Sequence, residues 1–404
     1  MGTLALPLVL LVLGQATEPD AAPVRWLDGE HLTGEWQGQR AFLADHGITI
    51  DLFYAVETFL TSARIGTPER AVSLLGHIDA AITLDTDKLG LWPGGKFYFL
   101  GQDSRGVGIN ELVGSATAIS NLEAAPYTQL TEFFYEQALF HEHLHIRLGK
   151  QDANREFGTP RYGGNFINNN FGMFPTTPLP SYPTTGLGAA VIVDATSWLV
   201  AKACVFEGNP LVQSLGFDSA LADNAGYTVA LGAAVTHHYG VDHRNGGTTS
   251  VGGWWQHGVL PELTEGTDPK IFQSNAGFMI QNDERIYADP SNKENPSGLN
   301  VIARFAWSRP DRTPISLYTG ASVAWHGLGS VRDNDTIGVG FGYFSVTQQL
   351  GGTPGRGDEI FVETFYKLRL TKFFSIQPDL QFYAHPGGDG PSTLLAGLRF
   401  KVKL

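Results

Sequence analysis

The chain has one cysteine, Cys204, among 404 residues. A lone thiol cannot close an intramolecular disulfide, so no disulfide framework staples this fold. Charge is also scarce, at 17% of residues, and its balance is acidic: 27 Lys and Arg against 40 Asp and Glu, a formal net charge of −13. No basic tract interrupts that balance, which excludes the electrostatic footprint of a nucleic-acid-binding protein. Past the N-terminus no uninterrupted apolar run reaches the roughly 18 residues that mark a transmembrane helix.

Catalytic signatures are nearly as sparse. The chain lacks a G-x-S-x-G elbow, a G-x-x-x-x-G-K-[ST] phosphate loop and a dinucleotide fingerprint. The Gly-rich run from Gly338 to Tyr343 lies inside an alternating segment and reads as sheet. One motif stands out: His141-Glu142-His143-Leu144-His145 satisfies H-E-x-x-H. A zinc protease needs both histidines on one helical face. Here Leu144, Ile146 and Leu148 alternate with His143, His145 and Arg147, which is strand periodicity. On a strand His141 and His145 lie about 13 Å apart, too far to share a zinc held at about 2.0–2.1 Å from each nitrogen. His143 and His145 share a strand face, but no third ligand accompanies them. The expectation is a tight turn at His141-Glu142, with no catalytic residues, metal or cofactor.

The chain is rich in turn formers and in alternation. It holds 49 Gly and 22 Pro and is 42% hydrophobic, a composition suited to many turns rather than long helices. Ile48, Ile50, Leu52, Tyr54 and Val56 share one face of a period-two pattern, as do Leu394, Ala396, Leu398, Phe400, Val402 and Leu404. Such alternation predicts strands. Sixteen segments carry it, beginning near Ile48, Leu75, Lys96, Leu130, His143, Leu187, Trp198, Tyr227, Thr249, Ala276, Leu299, Ile315, Thr336, Ile360, Phe374 and Thr393. Several reach the length of about 10 residues at which a tilted strand crosses a bilayer. Short connections such as Lys372-Phe373 coexist with long ones, Gly106 to Tyr127 and Ala153 to Gly186. That is the layout of a membrane barrel, one face toward lipid and the other lining a wet lumen. A soluble sandwich also alternates, but its strands run to about 5–6 residues, and here ionisable groups recur on the second face of almost every strand. Tyr343, Phe344, Phe373 and Phe374, near strand ends, are expected at the membrane interfaces.

The N-terminus fits export. Leu4 to Leu13 is a short apolar core followed by Gly14 and Ala16, which predicts a signal peptide over residues 1–16. Residues 17–47 then form a periplasmic segment. Within it Trp36, Arg40, Leu43 and Ala44 recur at helical spacing and Gly47 suits a helix stop. Residues 48–404 form the barrel. The expected fold class is therefore all-β: a 16-stranded antiparallel transmembrane β-barrel with a short N-terminal periplasmic helix.

Several stretches, taken in order and spacing, resemble one family. They are "LTGEWQGQRAFLADHGITID" from Leu32, "ISNLEA" from Ile119, "LGKQDANREF" from Leu148, "FEGNP" from Phe206 and "VGGWWQHG" from Val251. The C-terminal third adds "GLNVIARFAWSRPDR" from Gly298, "DNDTIGVGFGY" from Asp333, and the run from Ser375 to the end. From about Leu32 onward the chain resembles the carbohydrate-selective porins typified by the OprB protein. The resemblance implies a 16-stranded barrel in the cell outer membrane, with a water-filled channel for passive diffusion of sugars. One departure is Leu404, where outer-membrane barrels usually end in an aromatic. The implied partners are mono- or oligosaccharides as solutes and outer-membrane lipid, with no nucleic acid; a homo-oligomer is left open. A structural or adhesive barrel with a plugged lumen is the alternative, and a secreted zinc hydrolase a remote one.

Alternation places Glu132 and Glu136 on one face with Phe134 between them, and Trp198 on one face with Lys202. In the resembling family, loops fold inward and charged residues line the narrowest part. The expected constriction residues are therefore Arg105, Arg147, Asp152 and Arg155, with Glu132 and Trp198 next to them. The formal charge of −13 points to a weak preference for cations over anions.

Overall fold

Sixteen strands of one sheet take up the alternating segments. The structure, a computed structural model, describes residues 26–63, 69–222, 225–240, 244–263, 269–289, 297–329, 332–348 and 354–404. The expected signal peptide lies outside these residues. The strands are β1 (Ile48–Thr61), β2 (Ala71–Asp85), β3 (Gly95–Val107), β4 (Tyr127–Leu139), β5 (Leu144–Gln151), β6 (Gly186–Thr196), β7 (Leu199–Glu207) and β8 (Tyr227–Tyr239), then β9 (Asn245–Pro261), β10 (Ile271–Ala288), β11 (Gly298–Ser308), β12 (Ile315–His326), β13 (Thr336–Gln348), β14 (Pro354–Arg369), β15 (Phe374–Ala384) and β16 (Thr393–Lys403). Each pairs antiparallel with its sequence neighbours, and β1 pairs with β16 to close the barrel. The closing register sets Val56 opposite Phe400 and Glu57 opposite Arg399. Closure leaves no open edge, so ladder pairing can satisfy strand amides without water, as a bilayer demands.

Connections at one end are shorter: 140–143, 197–198 and 370–373 are each four residues or fewer, and 86–94, 289–297 and 327–335 are nine each. The longest, 108–126, 152–185 and 208–226, lie at the other end. By the usual rule for such barrels, the short turns face the periplasm. The N-terminal segment lies at that end. A 3-10 turn at Trp36–Gly38 leads into α1 (Gln39–Asp45). Gly47 stops it at φ +85°, where a Cβ would also lie 2.7 Å from the Asp85 carbonyl oxygen. Arg40 stacks 3.8 Å over the Trp36 ring and donates from Nη2 to the Leu404 carbonyl at 2.7 Å. The segment thereby clamps the C-terminal strand.

The outward face is apolar and exposed: Val72, Leu74, Leu231 and Val251 project from it. The inward face is mixed, not uniformly polar as expected. Phe59, Tyr318, Phe344, Phe361, Phe365, Tyr383 and Leu395 point in and are fully buried. Phe344, expected at an interface, sits in this cluster 5.4 Å from Tyr318 and 5.6 Å from Phe361. The cause is the two long loops. The β3–β4 loop (108–126), with α2 (Asn110–Val113), and the β5–β6 loop (152–185), with α3 (Asn154–Phe157), fold into the barrel. They contribute Ile109, Val113, Ile119, Phe166, Ile167, Phe171 and Phe174 to one apolar cluster with the wall. Phe166 packs 4.3 Å from Phe171 and 4.9 Å edge-on to Phe365. Such ring pairs contribute about 0.5–1.5 kcal/mol each beyond simple burial.

The Gly-rich run on β13 makes room for them. Gly338, Gly340 and Gly342 point inward, and a Cβ at Gly338 would come within 2.6 Å of Phe365. At Gly340 it would collide with Phe171. Gly340→Leu is therefore expected to lower stability by about 1–3 kcal/mol through overpacking and to loosen the β5–β6 loop while the barrel still forms. Limited trypsinolysis checks this: cleavage after Arg155 or Arg161 should appear in the variant and not in the parent protein.

Candidate functional site

A loop inside a barrel has backbone N–H groups that no ladder satisfies, and each one left bare costs about 1–3 kcal/mol. Inward carboxylates on the strands accept them. Glu363 on β14 accepts from the amides of Ile167 at 2.7 Å and Asn168 at 3.0 Å. Glu359 accepts from Ala116 at 2.8 Å and Gly387 at 2.7 Å. Asp283 on β10 accepts from Arg161 and Tyr162. Loop carbonyls meet wall donors: Arg304 on β11 donates to Asn170 at 3.0 Å and Gly158 at 2.8 Å and stacks over Phe174. Tyr318 and Gln377 donate to the carbonyls of Asn170 and Asn165, each at 2.7 Å. The two loops join each other where the Asn121 amide donates to the Ile167 carbonyl at 2.8 Å. Within the β3–β4 loop, Glu123 accepts from three amides, those of Asn110, Ile119 and Ser120. Burial still pushes its carboxyl up to about 7.

This anchoring presses α3 against β3, β4, β5 and β7, where charges interleave. The Arg155 guanidinium lies 2.7 Å from Glu132 and above the Tyr98 and Phe134 rings, at 5.3 and 5.8 Å. Arg147 pairs with Glu136 at 2.6 Å and with Glu156 of α3 at 3.2 Å, and covers the other flank of Phe134 at 4.9 Å. Lys202 on β7 completes the row, 3.2 Å from Glu156. Burial alone would raise the Glu156 carboxyl, but Lys202 and Arg147 beside it outweigh that and hold it below the usual carboxylate range. A bulge between Leu100 and Gly101 in the β3–β4 pairing lets Thr131 and Glu132 both turn inward. Three cations and three carboxylates thus form a row neutral in sum, with aromatic rings beneath it. Within it the Arg155 side chain is the most open, at 40% exposure, whereas Glu132 is 4% exposed. Such an arrangement offers hydroxyl groups both donors and acceptors, and offers a flat apolar surface, without a net charge.

Of the residues expected from sequence, Arg147, Arg155 and Glu132 lie in this row, and Asp152 lies directly beneath it. The Asp152 amide donates to Glu132 at 3.0 Å and its carboxylate accepts from the Asn154 amide at 2.8 Å, which fixes the start of α3. Arg105 is elsewhere. It belongs to β3 rather than to a loop, and its side chain pairs with Asp103 at 2.7 Å and donates to Thr128 on the outward face. Trp198 sits in the two-residue β6–β7 turn at the periplasmic end, half exposed. Glu136, Glu156, Lys202 and Tyr98 complete the row; inward alternation on β3, β4 and β7 signals three of them. The H-E-x-x-H motif forms a hairpin turn: Phe140, His141 and Glu142 all have positive φ, and β5 begins at Leu144. His143 and His145 bond backbone carbonyls, those of Asp194 and Glu142.

Comparison with known proteins agrees with this geometry. The profile of the family described as "Carbohydrate-selective porin, OprB family" matches residues 69–404. Porin B of Pseudomonas aeruginosa is 20% identical, over 96% of this chain and 95% of its own. The high-pH structure of Pseudomonas putida OprB superposes with a TM-score of 0.83 at 19% identity, over 93% of this chain and 99% of its own. The low-pH structure of that protein superposes with a TM-score of 0.63 at 16% identity, over the same shares of the two chains.

Burial and the neighbouring Glu132 push the Asp152 carboxyl up to about 7, from about 3.9 in an unfolded chain. Between those values the folded protein holds a proton that the unfolded chain releases, so stability falls as pH rises through the window. Asp152→Asn removes that slope. The stability advantage of the variant should grow from about pH 4 to pH 7 and level off above, as urea unfolding at successive pH values would record.

Proposed function

The chain belongs to the OprB family of carbohydrate-selective porins, and from that premise we propose which of its residues confer selectivity. It is an outer-membrane porin for passive diffusion of sugars, a channel rather than an enzyme. We assign the constriction to the row of Arg147, Arg155, Glu132, Glu136, Glu156 and Lys202, with Tyr98 and Phe134 beneath it. One observation carries the assignment: Arg155, on a loop helix inside the barrel, is held by Glu132, lies above Tyr98 and is the open member of the row. Its free donors meet sugar hydroxyls, and the rings meet the apolar face of the pyranose. Asp152 and Glu132 position Arg155 and do not touch solute. Arg105 and Trp198, one on the outward face and one in a periplasmic turn, have no part in it. Pairing within the row keeps affinity for any one sugar low, as a conducting site requires. Outer-membrane lipid surrounds the exposed apolar belt, and mono- or oligosaccharides pass within.

Liposome swelling tests the function: glucose should enter faster than into protein-free liposomes, and equal rates would overturn it. For the assignment, glucose block of the single-channel current gives an apparent affinity. Arg155→Ala should weaken it roughly tenfold, the equivalent of one charged hydrogen bond of about 1.5 kcal/mol, with Arg105→Ala leaving it unchanged.

A further inference from the structure

The latches that hold the loops have an electrostatic consequence. Glu359 and Glu363 have no exposed surface, and Asp283 and Asp379 are buried too. Glu57 is taken up by Arg399 at 2.6 Å. These buried acids of the inner wall are therefore taken up by backbone amides, by the Gln381 side chain and by one arginine, away from the channel surface. The cations are placed otherwise. At the periplasmic end of β14–β16, Lys367, Arg369, Lys372, Lys401 and Lys403 surround an open cavity of about 490 Å³, with Phe53 and Ser375 in its wall.

Strand register builds this cavity. Arg369, Ser375 and Lys401 stand in one row across three strands, and Lys403 stands opposite Phe53. Lys401 lies 4.2 Å above the Phe53 ring, Arg369 donates to the Lys372 carbonyl at 3.0 Å, and Lys367 donates to the Asn165 side chain at 2.8 Å. Arg369, Lys401 and Lys403 are exposed and Lys367 is half-buried. Among the described residues, these four form no ion pair. The nearby acids are committed or peripheral. Glu30 pairs with Lys372 at 2.7 Å on the outer rim. Asp335 accepts from the Arg369 amide and from Tyr366. Asp79 accepts from Gln102 and faces His77. Asp51 borders one neighbouring cavity beside Lys403, and Asp28 borders another beside Arg369 and Lys372. Rings of Lys and Arg are how pores select anions, and a cleft lined by one sign of charge concentrates the opposite ion.

We propose that this periplasmic mouth is a binding site for carboxylated sugars, and that the pore prefers anions although the chain carries a net charge of −13. A uronate or aldonate would set its carboxylate between Lys401 and Arg369. Its hydroxyls would then face Gln377 and Asn165, one inward-facing step along the strand, about 6.7 Å further in. The proposal rests on the porin reading and extends it from neutral to acidic sugars.

Two measurements in planar bilayers test it. Across a KCl gradient the zero-current potential should have the sign of chloride preference. With potassium glucuronate, Arg369→Gln/Lys401→Gln should lower the permeability of glucuronate relative to potassium several-fold, while liposome swelling in glucose stays at the parent rate. The variant's heat-modifiable electrophoretic shift verifies that the barrel has folded. A cation preference in the parent protein, or an unchanged glucuronate permeability in the double variant, would overturn the anion site. Absence of both current and glucose entry would instead overturn the porin reading beneath it.

Discussion

Backbone amides inside a barrel have to be satisfied. Strand amides are paired by closure, but two loops totalling some fifty residues, 108–126 and 152–185, enter the lumen without a ladder of their own. Their turns leave N–H groups facing a wall of side chains, and the wall answers with carboxylates. Glu363 takes two amides from the tip of the β5–β6 loop, Glu359 takes amides from two different loops, and Asp283 takes two more. Aromatic packing around Phe166 and Phe171 supplies bulk attraction, but it carries no direction. The carboxylate latches set register, and register decides that Arg155 ends above Tyr98 rather than elsewhere.

From this follows the division of charge in the lumen. A carboxylate that accepts from two backbone amides is removed from the electrostatics a solute meets. Cations also meet carbonyls, and Arg304 is buried by two of them, but Lys401 and Lys403 at the periplasmic mouth stay exposed. At the constriction the two signs balance, which suits neutral sugars. At the periplasmic mouth they do not, and positive charge remains. A formal sum over the sequence misses both facts, since it counts Glu363 and Lys401 equally.

Much of the fold is legible in the sequence, because period-two alternation and turn chemistry are local signals. β1, β8, β12, β13, β15 and β16 begin at the residues where alternation predicts them, and Gly47 stops the helix. The H-E-x-x-H motif yields to the same local argument, since alternation after His143 excludes a helix. What is not legible is the destination of a loop. Phe361 and Tyr383 alternate with the lipid face and so read as lumen, but an aromatic ring on a wet wall is a sign of something packed on it. Arg105 reads as loop because Gly106 looks like a strand end, yet β3 continues to Val107 and turns Arg105 outward. Trp198 precedes β7, in the two-residue turn 197–198, so the alternation that places Lys202 inward starts only after it.

The loops' attachment to the wall underlies both the constriction and the charge at the mouth, and amide exchange reads it directly. Hydrogen–deuterium exchange of the protein in lipid nanodiscs would report the amides of Ile167 and Asn168 alongside those of the strands. If Glu363 holds them, they exchange as slowly as barrel amides, and Glu363→Ala frees them while strand protection remains. Fast exchange at Ile167 and Asn168 in the parent protein, at the rate of exposed loop amides, would contradict the account.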